Sequence, residues 1–501
     1  MMSAWKRRWL ILLLVAIALA LPWLFYDWGH HRHSGFLISM LSQMGMMVIL
    51  ALSYNMLLGQ AGLFSLCHAT FFGIGGYATV HLLNAAGAGD LPLPMEVMPL
   101  LAGLAGLALA IVFGAMATKQ RATAFAMITL GIGELVATAA LMFHHFFGGE
   151  GGVSTDRMIG NSLFGLTYAS GIQVYYLIVG WTLIATGLMY FLTLTPLGRM
   201  ANATRDNFER AQFIGYDPRH VRFLQFALAG FFAGIGGGLY AITYEIVTFD
   251  ALAAPLSANA LLMAYIGGTG VFAGPILGAV LITLLQSGVS LLSNSWLVYV
   301  GVLFITMVMF APSGLAGIIQ AHAPIRRNGR LHELAVPYLR ILIPGCAVVL
   351  GFVGLVELLS FLTIGAAQGK KLVLFGSNID ASATPPWIVC LVALLAGGAW
   401  LWREATGFHR VWVSVSGGRR QDAARAASGA PGAGPPAGPS QPQIGPGQAQ
   451  AFQIQGNEAQ GSRIQDHPGV SQPSPAPQNP RLSGQAMGSQ AMGSQARGRQ
   501  A

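Results

Sequence analysis

The sequence predicts an all-α fold: a polytopic transmembrane helical bundle with Gly-broken helices, followed by a disordered C-terminal tail. Three observations carry that reading. Charged residues make up only 9% of the 501 residues, against about 25% in soluble globular domains, and mean hydropathy is +0.59. Apolar runs long enough to cross a bilayer recur from Trp9 to Trp402. From about residue 415 the chain turns to Gly, Ala, Pro, Gln and Ser and ends in the repeat QAMGSQAMGSQARG, a composition that buries too little apolar surface to fold. Three parts are therefore expected: a transmembrane domain over 1–320 with about eight to ten spans, an extension over 321–414 with one or two more, and a tail over 415–501.

The net charge of +9 would point to nucleic acid in a soluble chain. Here the basic residues gather in loops and at the ends of apolar runs, as the positive-inside rule requires, so membrane lipid is the implied contact and nucleic acid is not. Cys67, Cys346 and Cys390 all lie in apolar runs without metal-type spacing and read as small buried hydrophobes.

Taken in order, Lys6-Arg7-Arg8 precedes the run Trp9–Phe25, which ends in Pro-Trp-Leu-Phe-Tyr without a small-residue cleavage site. It reads as a retained first span with the N terminus inside. His30, His31 and His33 follow in a short loop; they lack the spacing of a metal site, and an interfacial loop is the favoured reading. Phe36–Leu58 is a second span. It leads into residues 51–82, where Gly59, Gly62, Gly73, Gly75 and Gly76 punctuate an apolar stretch that also holds Asn55, Gln60, Ser65, His68 and Thr70. A broken backbone cannot face lipid, so this stretch packs against other helices or lines a polar path. For Asn55 and Gln60 both readings stand.

Leu100–Ala117 crosses next, and Lys119-Gln120-Arg121 marks an inside loop. Ala122–Phe147 carries Glu134 at its middle. An intramembrane carboxylate is a functional candidate by default; a structurally paired carboxylate is the alternative, and the residues leave both open. Gly148–Ser154, GGEGGVS, is a flexible outer loop, and Leu163–Gln173 is mixed. Val174–Leu194 and Phe223–Tyr244 are uncharged spans. Asn259–Leu285 is broken by Gly267, Gly268, Gly270, Gly274 and Pro275, the second such interruption, and paired interruptions are a mark of transporter halves. Trp296–Phe310 closes the series before Arg326, Arg327 and Arg330. Counted as single crossings, the runs to Phe310 number nine, and nine crossings from an inside N terminus would end outside, against the arginines. One Gly-broken stretch must be re-entrant or cross twice. Ala335–Ile364 and Pro386–Trp402 follow in the extension.

The polar stretch Pro196–Arg222 separates two of these spans. Thr195-Pro196 is a helix start, and Gly215 with Asp217-Pro218 is a stop. Between them one amphipathic helix is expected, with Met200, Ala203, Thr204, Asn207, Ala211 and Ile214 on one face. Asn202, Arg205, Asp206, Glu209 and Gln212 lie opposite, with Phe213 among them. It offers charges and one apolar knob to a cytoplasmic partner, or lies among lipid headgroups.

Three segments together resemble the inner-membrane permeases of branched-chain amino acid ABC transporters, the LivM-like type: LSYNMLLGQAGLFSLCHATFFGIGGY (52–77), PLGRMANATRDNFERAQFIGYDPRHVRFLQFALAGFFAGIGGGLYA (196–241), and GGTGVFAGPILGAVL (267–281) with APSGLAGII (311–319). Order and spacing agree across residues 9–320; the chain departs from the family's pattern after residue 320. The resemblance implies a multi-pass subunit of the bacterial inner (plasma) membrane that translocates leucine, isoleucine and valine. It implies a second, similar permease, two cytoplasmic ATPase subunits that hydrolyse ATP, and a periplasmic substrate-binding protein, with no cofactor held by this chain. It makes the cytoplasmic helix an ATPase-coupling element carried by Arg199, Arg205, Asn207, Glu209, Ala211, Phe213 and Gly215, and Phe213 among charges then suits a protein groove. The expected substrate path is lined by Asn55, Gln60, Glu134, Gly267, Gly268 and Gly270. Cys67-His68 and Asn55-Met56 depart from the usual pattern, and permeases for urea or short-chain amides share it, so they are the alternative. An ion-gradient-driven secondary transporter, with Glu134 and Glu357 as coupling groups, is the rival class. No catalytic residue is expected: Gly365–Lys371 lacks P-loop spacing and the terminal hydroxyl.

Overall fold

The computed structural model describes residues 15–23, 26–27, 32–89, 93–120, 122–158, 162–163, 165–291, 293, 295–327, 329–365, 373–374, 377–378 and 383–428. It is helical almost throughout. After a helical segment at 15–23, the bundle comprises α1 (Gly35–Asn55), α2 (His68–Gly87), α3 (Met98–Ala117), α4 (Ala122–Met142) and α5 (Gly171–Leu194). The cytoplasmic helices α6 (Pro196–Asp206) and α7 (Phe208–Phe213) come next. Then follow α8 (Pro218–Tyr244), α9 (Ala254–Gly267), α10 (Gly274–Thr283), α11 (Trp296–Phe310), α12 (Gly314–Arg327), α13 (Ala335–Ser360) and α14 (Thr384–Ser428). Among the described residues, strands occur only as two-residue antiparallel pairs, such as Val153–Ser154 against Ile246–Val247.

Among the described residues seven helices are long and apolar enough to cross a membrane, or eight if the bent pair α11 and α12 is one span. The centre of the bundle is α8. In a bilayer, helices associate through close contact rather than water exclusion, so small residues decide where backbones meet. The α8 run GFFAGIGGG supplies them: a Cβ on Gly234 would lie 2.5 Å from the Ala102 carbonyl of α3, and one on Gly106 would lie 2.5 Å from the Gly230 carbonyl. Aromatic side chains fill the remaining space, with Phe71 of α2 edge-on to Phe226 of α8 at 5.3 Å and Phe125 of α4 at 5.8 Å from the same ring.

Several expectations are resolved or corrected. The Gly-broken run 259–285, one of the stretches left open as re-entrant or crossing twice, forms a hairpin in which α9 and α10 lie so close that a Cβ on Gly278 would meet the Met263 backbone. Its tip reaches Ser313 and Gly314 at the inner end, while Ser287 beyond α10 donates to Gln43 Oε1 (2.7 Å) near the outer end of α1. A hairpin that enters and returns adds no net crossing, which removes the conflict between the count of runs and the arginines that follow α12. The loop 148–154 is tightly built: Gly148, Gly149 and Gly152 have φ of +73°, +66° and +70°, and the loop runs directly into the strand pair with 246–247. Cys67 and Cys390 are buried as expected, but Cys346 is exposed, because it points away from the face on which α13 meets α14. Finally, α14 continues helically to Ser428, past the expected tail boundary at 415; the rest of the tail, and the loop holding His30 and His31, lie outside the described residues.

Contacts divide the chain into residues 1–420, which hold the bundle, and residues 421–501, of which only 421–428 are described, all helical.

Candidate functional site

At its inner end α1 widens into a π-helical turn over Met56–Ala61 and stops at Gly62 in the left-handed region (φ +66°). A π-turn offsets the backbone hydrogen-bond ladder and is frequent at working sites. Gly59 is needed here for room: an added Cβ would crowd the Asn55 carboxamide and lie 2.7 Å from the Thr269 carbonyl. Thr269 belongs to the turn between α9 and α10, so the two glycine-rich interruptions touch. Gly268, at φ +105°, abuts Ser313 and Gly314 at the start of α12. Gly267 is buried against Gly274, whereas Gly270 is exposed at the tip with nothing near it.

The cytoplasmic helices attach to this same point. Thr195 caps α6 by accepting from Gly198 N (3.5 Å), with Pro196 in the first turn. Gly198, Ala201 and Thr204 are buried. Arg205 lies across Gly62, and its Nη1 donates to the Gly59 carbonyl. The expected single helix is broken immediately afterwards: Asn207 is extended (φ −155°, ψ 108°) and caps α7 by accepting from Arg210 N (2.9 Å). An Asn whose side chain satisfies the next helix's first free N–H groups stops one helix and starts another. Ala211 is buried, while Arg199, Glu209 and Gly215 are exposed; Phe213 is 90% exposed and Ile214 61%. Ile214 was expected on the face opposite Phe213 and instead is exposed with it, because the break at Asn207 interrupts the helical phase. Gly215 (φ +91°) ends the segment, and Asp217 caps α8 by accepting from Arg219 N (3.0 Å). Arg222 of α8 stacks 4.9 Å over the Phe208 ring, binding α7 to the span that follows.

Above the junction lies a buried polar patch. Ser53 Oγ donates to the Leu50 carbonyl (2.8 Å) and so accepts from His68 Nε2 (2.8 Å), which leaves His68 Nδ1 as a bare acceptor. With it, Tyr54 Oη, Asn55 Oδ1, Gln60 Oε1 and Thr70 Oγ1 are buried without a partner. Unpaired buried polar atoms are costly and gather where a structure rearranges or takes up water. Asn55, against Gly59, thus lies next to the turn that follows Gly267 and Gly268, and Gln60 is in the same π-turn as Gly59. Glu134 stands instead on the outward face of α4, exposed, with no partner among the described residues, whereas Gly133 and Thr129 turn inward, Thr129 Oγ1 accepting from Leu66 N (3.1 Å). Glu357 accepts from Tyr299 Oη (2.5 Å), between α13 and α11. No group of three or more His, Cys, Asp or Glu among the described residues is placed to hold a metal. Sequence reasoning missed the pairing of Arg205 with Gly59 and the Ser53–His68 bond; Arg205 was legible as an exposed charge, but its partner lies far back in the chain.

Residues 36–311 match the family model described as the permease component of the branched-chain amino acid transport system. The chain is 26% identical over 309 residues to the high-affinity branched-chain amino acid transport system permease protein LivM of Escherichia coli, covering 58% of this chain and 72% of that one. It is 23% identical over 286 residues to the permease protein BraD of Pseudomonas aeruginosa, covering 54% and 91%. A shorter match, 31% over 121 residues, joins it to the autoinducer 2 import system permease protein LsrC of Photorhabdus laumondii, covering 23% and 36%. No solved structure matches. The matched region contains both helix breaks, the cytoplasmic helices and the spans they join. The chain belongs to the family of branched-chain amino acid transport permease components, as a multi-pass inner-membrane protein.

Proposed function

We propose that this chain forms half of the membrane path of an ABC importer for leucine, isoleucine and valine, driven by ATP hydrolysis on two separate cytoplasmic subunits. The carrying observation is the placement of α6 and α7. One end presents Phe213, Ile214 and Tyr216 to the cytoplasm, and the other holds the Gly59 carbonyl through Arg205. An exposed aromatic and aliphatic patch among charges fits a groove in an ATPase. Movement of that groove would be passed through Arg205 to the π-turn, and from Gly59 to the Thr269 turn beside it. The two breaks then shift together, and the unpaired patch over Asn55, Gln60 and His68 exchanges its arrangement for a hydrated one. Because α6 and α7 are separate, the lever is jointed at Asn207 rather than rigid.

A second, similar permease would cover the outward face of α4. A carboxylate facing lipid is expensive, so Glu134 faces that subunit and the path between the two. A periplasmic binding protein would deliver the solute to the outer loops. The test is a pull-down from detergent-solubilised membranes of cells expressing the neighbouring transport genes. Wild type retains an ATPase subunit, and the Glu209→Lys, Phe213→Asp double variant loses it while inserting equally. Uptake of labelled leucine that persists after removal of every ATPase would sink the reading.

A further inference from the structure

A cavity of about 390 Å³ opens at the outer end of the bundle, between the start of α1, the start of α5 and the end of α8. Its wall contains Arg157, a guanidinium that the fold goes to some length to hold. Arg157 Nε donates to the Tyr168 carbonyl (2.9 Å) and Nη1 to the Thr243 carbonyl (3.2 Å), while its backbone N donates to Glu245 Oε1 (3.2 Å). Tyr168 and Glu245 have φ of +49° and +57° and are the positive-φ non-glycine residues of the described chain. Both left-handed residues are therefore partners of this one arginine. Backbone conformations that L residues avoid persist where surrounding structure enforces them, and they concentrate at ligand sites.

Three further features make the cavity suited to an anion. Glu245 lies behind the guanidinium, 3.6 Å from Nε and outside the cavity wall, and Nη2 makes no hydrogen bond among the described residues. Gly35 and Gly171 open α1 and α5 in the same wall, and neither Ser34 nor Ser170 caps its helix with its side chain; uncapped helix N-termini attract negative charge. Ser42, only 2% exposed, lines the cavity with Ser39 and Thr243 and adds hydroxyl groups to its wall. Ile38 and Val174 give it an apolar side.

The geometry points to an outward-facing site for the carboxylate of a small aliphatic solute, with Arg157 and the two helix starts receiving the anion and Ile38 and Val174 receiving the tail. The choice of an amino acid as that solute rests on the permease reading above. The shared chemistry, an anionic head on an apolar body, also describes an anionic lipid, and the experiment separates the two.

The full chain is reconstituted in phosphatidylcholine nanodiscs with Cys346 replaced by serine and Ser170→Cys introduced at the rim. Maleimide labelling of residue 170 is then followed with added ligand. L-Leucine and 4-methylvalerate, which keep the carboxylate, slow labelling, and leucinamide, which lacks it, does not. Arg157→Gln raises the half-protecting concentration roughly tenfold or more. Ser39→Leu, which fills the cavity from its exposed rim and leaves the arginine's partners untouched, abolishes protection. Protection by leucinamide equal to that by leucine, or protection that survives Ser39→Leu, overturns the site. So does an absence of protection. If phosphatidylglycerol in the nanodisc alone protects residue 170 and leucine adds nothing, the occupant is lipid and the proposal falls. Protection needs no ATPase, so ATP-driven leucine uptake without protection defeats this site alone, and protection without ATP-driven uptake defeats the permease reading alone.

Discussion

Arg205 is an arginine in a junction otherwise made of glycines and carbonyls. Its guanidinium bonds the Gly59 carbonyl, its methylenes cover Gly62, and its Nη2 is 3.0 Å from Asp206 Oδ1. The ion pair is exposed and adds little. The bond to Gly59 matters more, because a carbonyl in the last turn before the helix stops at Gly62 has no following helical N–H and Arg205 supplies a donor. Arg205→Ala is therefore expected to leave ATPase pull-down intact while cutting leucine uptake at least tenfold, with Arg205→Lys intermediate, since an ammonium reaches the carbonyl without the fork. The pair of measurements is informative together. Equal loss of pull-down and uptake would mean that Arg205 belongs to the docking surface and not to the linkage.

At the scale of elements, the parts legible in the sequence were those with local chemistry. Thr195-Pro196, Gly215 and Asp217-Pro218 delimit α6, α7 and the start of α8 as expected, because caps and left-handed glycines act within a few residues. The break at Asn207 had a local signal too, an Asn followed by an acidic residue in the next turn, but an uninterrupted helical phase masked it. The meeting of Gly59 with Thr269 was not legible, since contact between segments about two hundred residues apart leaves no periodicity in either. The α9–α10 hairpin falls between these cases. Its glycines were read as a break, yet only packing decides whether the chain continues or turns back, and at about 1.5 Å per residue each arm is short for a full span. The hairpin gives a sharp prediction. Gly270→Cys at the tip is labelled by an impermeant thiol reagent from the cytoplasmic side, and Ser290→Cys from the outside. Labelling of Ser290→Cys from the cytoplasm would restore a single crossing and remove the hairpin.

Over the whole molecule, the family match ends where α12 begins, and α13 and α14 form an addition with its own packing. They meet backbone to backbone: a Cβ on Gly351 would lie 2.7 Å from Leu394 N, and one on Gly397 would lie 3.2 Å from Ala347 Cβ. This hairpin joins the rest near its outer end through the Tyr299–Glu357 hydrogen bond and the Tyr299–Phe352 ring contact at 6.3 Å. Near the inner end it joins through His322 of α12, which bonds Tyr338 and lies 4.9 Å from Trp412. None of these contacts reaches the junction of Gly59, Arg205 and Thr269, or the outer cavity. A chain ending at Arg327 should therefore insert, retain the ATPase and take up leucine within about twofold of the full chain, because it loses neither coupling nor path residues. In the full chain, Tyr299→Phe removes one interhelical hydrogen bond worth about 1 kcal/mol and is expected to lower the thermal midpoint slightly with uptake unchanged. The truncation is the stricter test: normal insertion with uptake abolished would place α13 and α14 inside the working machinery, and the division at α12 would have to be abandoned.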